Sequence, residues 1–276
     1  MNMPLLRAAE MLKEADAVIV SASNGLSITE GLHLFADNEA FEETFGDFKQ
    51  KYGIRCILQG CMGRFETEEE TWDFWSRLVC RYSAGYTASP VMKDLARVLG
   101  QKPYFVVTSN GEGHFQQAGF GPVFEVEGSW VEMQCNRRCH DRLYPAIPLM
   151  EKMQQAKREG SIPQSLFPRC PQCGAAMKMH VISPNFVPNT EAQTAFARFV
   201  QRWQNKKLVV LELGIGSRNQ LIKAPLMELV RSQPTMGYVT INLGDLYIPQ
   251  SIRERSVGLD GLLAPIMRQL ADAREE

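Results

Sequence analysis

The residues best placed to do chemistry are cysteines. Of seven in the chain, four fall into two close pairs, Cys135-x3-Cys139 and Cys170-x2-Cys173. Two such pairs put two thiolates on each of two tight turns, which is how a chain delivers four sulfurs to one tetrahedral ion. Zinc suits a four-thiolate set, and four protein ligands leave no position for a bound water, so the metal would be structural. Gly174 after the second pair suits a turn, and Arg137 and Arg138 inside the first bring positive charge to the thiolates. His140 is either a competing ligand or a solvated turn residue. Cys56, Cys61 and Cys80 match no ligand spacing and read as buried or surface thiols.

A second candidate is the run Ser21-Ala22-Ser23-Asn24-Gly25-Leu26-Ser27, whose small residues could let backbone N–H groups approach a phosphate. An ordinary strand-to-helix turn has the same composition.

Four short apolar runs could position these residues: 17–21 (AVIVS), 104–109 (YFVVTS), 208–213 (LVVLEL) and 238–242 (YVTIN). Each ends in polar or glycine-containing chain, as buried parallel strands do before ligand loops in an open α/β sheet. Helices fit between them. Thr67-Glu68-Glu69-Glu70 is a capping box ahead of Trp72, Trp75, Leu78 and Val79 at helical spacing. Another helix starts at Thr190 and carries Phe196, Phe199, Val200 and Trp203 on one face, a third covers Pro90 to Leu99, and the N-terminus reads as an amphipathic first helix. Both aromatic stripes are expected to face a domain interior. The stretch 130–185, with its paired cysteines, several prolines and weak periodicity, is the expected insertion, containing a short polar helix at 151–160. The expected division is a sheet domain from 1–129 and 186–276 with a metal module at 130–185.

Composition excludes other classes. With 45% hydrophobic and 22% charged residues the chain is ordinary globular material. Thirty basic against thirty-one acidic residues give no electrostatic case for nucleic acid. Charges at Arg7, Glu10, Lys13, Glu14 and Asp16 break any apolar run near the N-terminus, so a signal peptide or membrane span is not expected there. Cysteines without a secretory signal point to free thiols and metal ligands, hence to the cytoplasm.

Several segments agree in order with one known family. They are the Ser21 to Ser27 loop, Thr108-Ser109-Asn110, Glu127-Gly128-Ser129-Trp130 leading into the first cysteine pair, and Cys170-Pro171-Gln172-Cys173-Gly174. Beyond these come Glu212-Leu213-Gly214-Ile215-Gly216 with Ile222-Lys223-Ala224-Pro225, then Ile241-Asn242-Leu243-Gly244 and Arg255-Ser256-Val257. Over nearly its whole length the sequence resembles the sirtuins, and among them the macrodomain-linked (class M) branch.

The resemblance implies a Rossmann-like parallel-sheet domain with an inserted small zinc-ribbon module, with NAD as co-substrate and Zn2+ as structural metal. It implies that Ala22, Ser23 and Gly25 line the phosphate loop, with Asn110 at the nicotinamide-ribose end. Gly214, Gly216 and Ser217 would form a second wall, Asn242 would approach the adenosine ribose, and Val257 to Leu259 the adenine. Ordinary sirtuins remove acyl groups from lysine; the class M branch ADP-ribosylates proteins, including a lipoyl-carrier protein. Two departures stand out. Where sirtuins generally open the phosphate loop with Gly-Ala-Gly, this chain has Ser21-Ala22-Ser23. Where deacylases have a catalytic histidine and class M members a glutamine, it has Glu127. A carboxylate there could stabilise a cationic sugar or accept a proton from an incoming nucleophile; alternatively Glu127 and Glu112 are solvated loop carboxylates of an inactive homologue. His33 and His114 also fall near the implied cleft, though neither takes the expected base position. The implied function is an NAD-dependent protein ADP-ribosyltransferase with Asn110 and Glu127 as catalytic residues, against an NAD or ADP-ribose sensor without turnover, or a lysine deacylase.

Overall fold

A computed structural model describes residues 3–275. Its strands are β1 (Ala17–Ala22), β2 (Tyr104–Thr108), β3 (Val123–Glu125), β4 (Gly128–Cys135), β5 (Tyr144–Pro145), β6 (Met177–Val181), β7 (Leu208–Leu213), β8 (Gly237–Asn242) and β9 (Ser256–Asp260). The helices are α1 (Met3–Glu14), α2 (Asn24–Thr29), α3 (Glu39–Tyr52), α4 (Ile57–Met62), α5 (Glu68–Tyr82), α6 (Pro90–Leu99), α7 (His114–Gln117), α8 (Ile147–Arg158), α9 (Thr190–Trp203), α10 (Gln220–Ser232) and α11 (Leu263–Glu275).

The expected apolar runs form the middle of a six-stranded parallel sheet ordered β3-β2-β1-β7-β8-β9. Every residue of β1 and β7 is buried, because helices cover both faces. Alternate residues divide between two cores. Val18, Val20, Val209 and Leu211 meet Leu5 and Leu12 of α1, Leu95 of α6 and Leu270 of α11. Ile19, Phe105, Val210 and Tyr238 face Ile222, Leu226 and Val230 of α10. Full burial of one such aliphatic side chain contributes roughly 1.5–3 kcal/mol, so these two layers hold the sheet's C-terminal rim rigid.

The second body is an antiparallel sheet ordered β5-β4-β6. It does not have a core confined to residues 130–185. Met133, Cys135, Met150, Cys170 and Met179 pack in one cluster with Phe41, Phe45, Trp72, Phe74 and Leu78 of α3 and α5. A small three-stranded sheet has too little apolar surface of its own, and the α5 stripe supplies it. The Thr67 capping box forms as expected: Thr67 accepts from the Glu70 N–H, and the Glu70 side chain accepts from the Thr67 N–H.

The other aromatic stripe departs from expectation. Phe196, Phe199, Val200 and Trp203 of α9 are only half-buried. They lie against Phe105, with ring centroids at 5.3 Å for Phe196 and 5.6 Å for Phe199. Among the described residues no helix is long and apolar enough to cross a membrane.

Candidate functional site

In a parallel sheet the crevice opens where the strand order reverses, beyond the C-terminal ends of the strands. Here that point lies between β1 and β7, whose last paired residues are Ala22 and Leu213. A cleft of about 530 Å³ opens there, lined by Ser23, Asn24, Gly25, Ile28, Phe35, Glu127, Gly214, Gly216, Arg218, Asn219, Leu221 and Asn242.

The floor of the cleft is a crossing of two loops at backbone contact. The Gly25 N–H donates to the Gly214 carbonyl at 2.9 Å. A Cβ added to Gly25 would stand 2.4 Å from the Gly214 Cα, and Gly214 itself has φ +62°. No side chain fits at either position, so both glycines are set by the crossing itself.

Ser23 acts differently from the glycine it replaces in the family pattern. Its φ of −145° is extended, so the side chain imposes no strain. Its hydroxyl accepts from Ser109 Oγ and from Asn219 Nδ2, both at 2.9 Å. Asn110 is buried behind it: Nδ2 donates to the Ser23 carbonyl at 3.2 Å, and the Asn110 N–H donates to Thr108 Oγ1 at 3.0 Å. Three loop segments, after β1, β2 and β7, are thereby stitched together.

Glu127 enters from the junction of the two bodies, in the turn between β3 and β4. Its carbonyl accepts from the Ile182 N–H at 3.0 Å. The next residue, Gly128, has φ +86°, and a Cβ there would lie 2.2 Å from the His180 carbonyl oxygen. The turn is therefore held tightly to β6, and the Glu127 carboxylate is half-buried in the cleft wall. Burial pushes its carboxyl above the ordinary carboxylate range.

The structure does not bring every expected residue to the cleft. Ser23, Gly25, Glu127, Gly214, Gly216 and Asn242 line it. Asn242 also donates through Nδ2 to the Asp245 carbonyl at 2.9 Å. Ser217 stands beside it with its N–H donated to Asp245 Oδ2 at 2.7 Å. Ala22, Val257 and Leu259 are instead buried in the sheet core, their side chains packed with α1- and α11-side residues. In β8 and β9 the alternation that carries Val239 and Ile241 into that core carries Val257 and Leu259 with them. His33 accepts from the Phe35 N–H at 3.3 Å and does not reach the cleft. Glu112 is fully buried rather than solvated.

Other cleft residues went unread. Arg218 is exposed at the cleft mouth and offers a cation where an anionic ligand would enter. Asn219 is the loop tie described above. Ile28, Phe35 and Leu221 form an apolar rim at 41%, 52% and 52% exposure, enough to cover a flat ring. Arg218 and Asn219 follow Gly216 and Ser217, so the glycine segment was the available signal; the rim residues carry none, since single exposed apolar residues are common.

The four cysteines converge. Cys135 Sγ lies 3.6 Å from Cys173 Sγ, and Cys139 Sγ 3.6 Å from Cys170 Sγ. All four lie within 4.8 Å of one another. A tetrahedral ion with metal–sulfur bonds of about 2.3 Å needs sulfurs about 3.8 Å apart, which this set matches. Each pair sits on a knuckle: the Arg138 N–H donates to the Cys135 carbonyl at 2.9 Å, and the Gly174 N–H to the Cys170 carbonyl at 2.8 Å. Burial opposes ionisation of Cys135, but the backbone amides of Cys139 and Arg137 outweigh it and bring that thiol down to about 6. His140 Nε2 is 3.3 Å from Cys170 Sγ, a hydrogen-bonding neighbour outside the four.

The fold matches a Sir2 homolog crystallised with NAD, with a TM-score of 0.67 over 100% of this chain and 94% of that one at 16% identity. It also matches a Sir2 enzyme at TM-score 0.60, covering 100% and 99% of the two chains at 16% identity. In sequence, the chain is 30% identical over 268 residues to a protein ADP-ribosyltransferase of Staphylococcus aureus, spanning 92% of this chain and 84% of the relative. The chain belongs to the sirtuin-like protein ADP-ribosyltransferase family. A further member, a probable bifunctional ADP-ribose hydrolase/ADP-ribosyltransferase of Fusarium oxysporum, is 28% identical over 255 residues; the alignment spans 86% of this chain and 42% of that longer protein. No family model matches the sequence.

Proposed function

We propose that the protein cleaves the bond between nicotinamide and ribose in NAD and transfers ADP-ribose to a protein acceptor, with Glu127 as its acid–base and electrostatic residue. The observation that carries this reading is the placement of a half-buried carboxylate, Glu127, in the wall of the cleft whose floor is the Gly25–Gly214 crossing.

Bound NAD supplies an ADP-ribosyl group on a leaving group that already carries positive charge. The residues of the chain do the rest. Backbone contact between the Gly25 and Gly214 loops leaves a surface free of side chains for the phosphates, and Arg218 supplies a cation at their entry. Asn242 and Gly216 continue that wall toward β8. The apolar rim of Ile28, Phe35 and Leu221 keeps water from the reacting end. Glu127, ionised, offers negative charge where positive charge develops on the sugar, and then takes the proton of the incoming nucleophile. Asn110 acts through Ser23, whose carbonyl it holds.

A carboxylate where deacylases have a histidine favours this reaction over lysine deacylation. We assign Zn2+ to the four-cysteine site in a structural role, on the fit of its sulfur spacing. A lipoyl-carrier protein is the acceptor to test first, and the cytoplasm the expected compartment, since the cysteines are free thiols or metal ligands.

The test is incubation with NAD labelled in its adenylate half, together with candidate acceptors including a lipoyl carrier. Label bound covalently to an acceptor is the expected result. Tight binding of ADP-ribose without any transfer or nicotinamide release would make the protein a sensor instead.

A further inference from the structure

Behind the cleft lies a buried group of titratable side chains that the proposed reaction does not use. His114, Glu30 and Glu112 have side-chain exposures of 4%, 1% and 3%. His114 Nε2 lies 2.6 Å from the Tyr82 carbonyl oxygen, which can only accept, so Nε2 carries a hydrogen. Nδ1 lies 2.8 Å from Glu30 Oε2. The other oxygen of Glu30 already accepts from Tyr86 Oη at 2.5 Å and Ser89 Oγ at 2.6 Å, the pattern of a carboxylate. A neutral imidazole protonated at Nε2 would set the Nδ1 lone pair against a carboxylate oxygen; a second ring proton removes that conflict. Two more features favour the cation. The Tyr86 ring stacks on the imidazole at 3.8 Å and 12°, and Glu112 Oε1 lies 4.0 Å from Nδ1.

We propose that His114 is a positioning residue: held as an imidazolium between Glu30 and Glu112, it locks the helix after the phosphate loop to the segment that carries Asn110. The ties run through three parts of the chain. Ser27 on α2 donates to Glu112 Oε1 at 2.9 Å, and Glu30 follows the end of the same helix. Glu112 and His114 lie two and four residues after Asn110. Tyr82 ends α5, and Tyr86 and Ser89 lead into α6. A buried cation between two carboxylates holds all three at fixed spacing; without its charge, Glu30 and Glu112 face each other uncompensated.

The groups facing His114 are Glu30, Glu112 and the Tyr86 phenol; burial pushes Glu112 above the ordinary carboxylate range, and the Glu112 charge in turn raises Glu125 of β3. Burial works against the charge on both members of the ion pair. The hydrogen bond to Glu30 and the Glu112 charge still raise His114 above the ordinary histidine range, and the His114, Ser89 and Tyr86 hydrogen bonds hold Glu30 below the ordinary carboxylate range. A histidine raised in the folded state keeps its contribution below its ordinary pKa of about 6.5 and loses it as pH rises through the folded value.

The ionisation of His114 stands on its own; its consequence for nucleotide affinity rests on the proposed function. Nitrogen-detected NMR of histidine-labelled protein should show both ring nitrogens of His114 protonated at neutral pH, where a free histidine is mostly neutral. Calorimetry with ADP-ribose should show affinity falling as pH rises through that titration, and His114→Gln should bind about tenfold more weakly with no pH dependence in that range. A neutral His114 at neutral pH, ring signals that shift on adding Zn2+ as a metal ligand's would, or a His114→Gln variant with wild-type affinity and pH profile would each overturn the proposal. If wild type binds no ADP-ribose at any pH, the nucleotide reading fails. The NMR titration and the matching pH dependence of the melting temperature, absent in His114→Gln, then decide the ionised clamp alone.

Discussion

The Ser23 hydroxyl accepts a hydrogen bond from Asn219 Nδ2 at 2.9 Å and so joins the loop after β1 to the loop after β7 across the strand-order switch. Where the family pattern has a glycine, this chain has a side chain that serves as a tie. Ser23→Ala should cost about 1 kcal/mol, the net worth of a partly buried hydrogen bond, and lower the melting temperature by about 2–4 °C. ADP-ribose affinity should fall with it. Differential scanning calorimetry and titration of the same variant check both, and an unchanged affinity would separate the tie from ligand binding.

Gly25 offers a sharper steric test. A methyl at this position meets the Gly214 backbone at 2.4 Å, a contact that only loop movement relieves. Gly25→Ala should weaken ADP-ribose binding by about tenfold or more, since loop misplacement of an ångström is costly in a site of this kind. Equilibrium binding of the folded variant reads this directly.

The sheet was legible in the sequence because its central strands are largely apolar runs followed by small or glycine-containing chain, as 17–21 and 208–213 are. β9 was not, because Gly258 interrupts its apolar residues. The four-cysteine cluster was legible because cysteine spacing is local chemistry. Val257 and Leu259 share the core face with Val239 and Ile241, and the order of motifs along the chain does not say which face of a strand a side chain takes. The sharing of α3 and α5 with the small sheet had no local signal, since an amphipathic helix does not say which core it covers. The Glu30–His114 pairing joins residues distant in sequence and was invisible for the same reason.

The metal site should be required for the second body. Purified protein should carry one zinc per chain by elemental analysis. Removal with a strong chelator, or Cys170→Ser, should lower the melting temperature and loosen the cluster around Trp72 and Trp130. Near-ultraviolet circular dichroism of those tryptophans follows the change.

Stability should also depend on Glu125, a buried carboxyl raised to about 8 by burial and by the Glu132 charge. A carboxyl raised on folding favours the folded state while protonated, so its term weakens as pH climbs from the ordinary carboxylate value of about 4.3 to about 8. Glu125→Gln should flatten this slope and gain roughly 2–5 kcal/mol relative to wild type at the alkaline end. Denaturant titrations at several pH values measure it.

The chemistry proposed for Glu127 is tested most directly by nicotinamide release from NAD, compared between wild type and Glu127→Ala as a function of pH. We expect wild type to release nicotinamide with an acidic limb above the ordinary carboxylate range, because burial raises Glu127 and only the ionised form serves. Glu127→Ala should fall by about 10²-fold or more and lose that limb. Equal rates for the two proteins, or release from neither above buffer, would contradict the assignment.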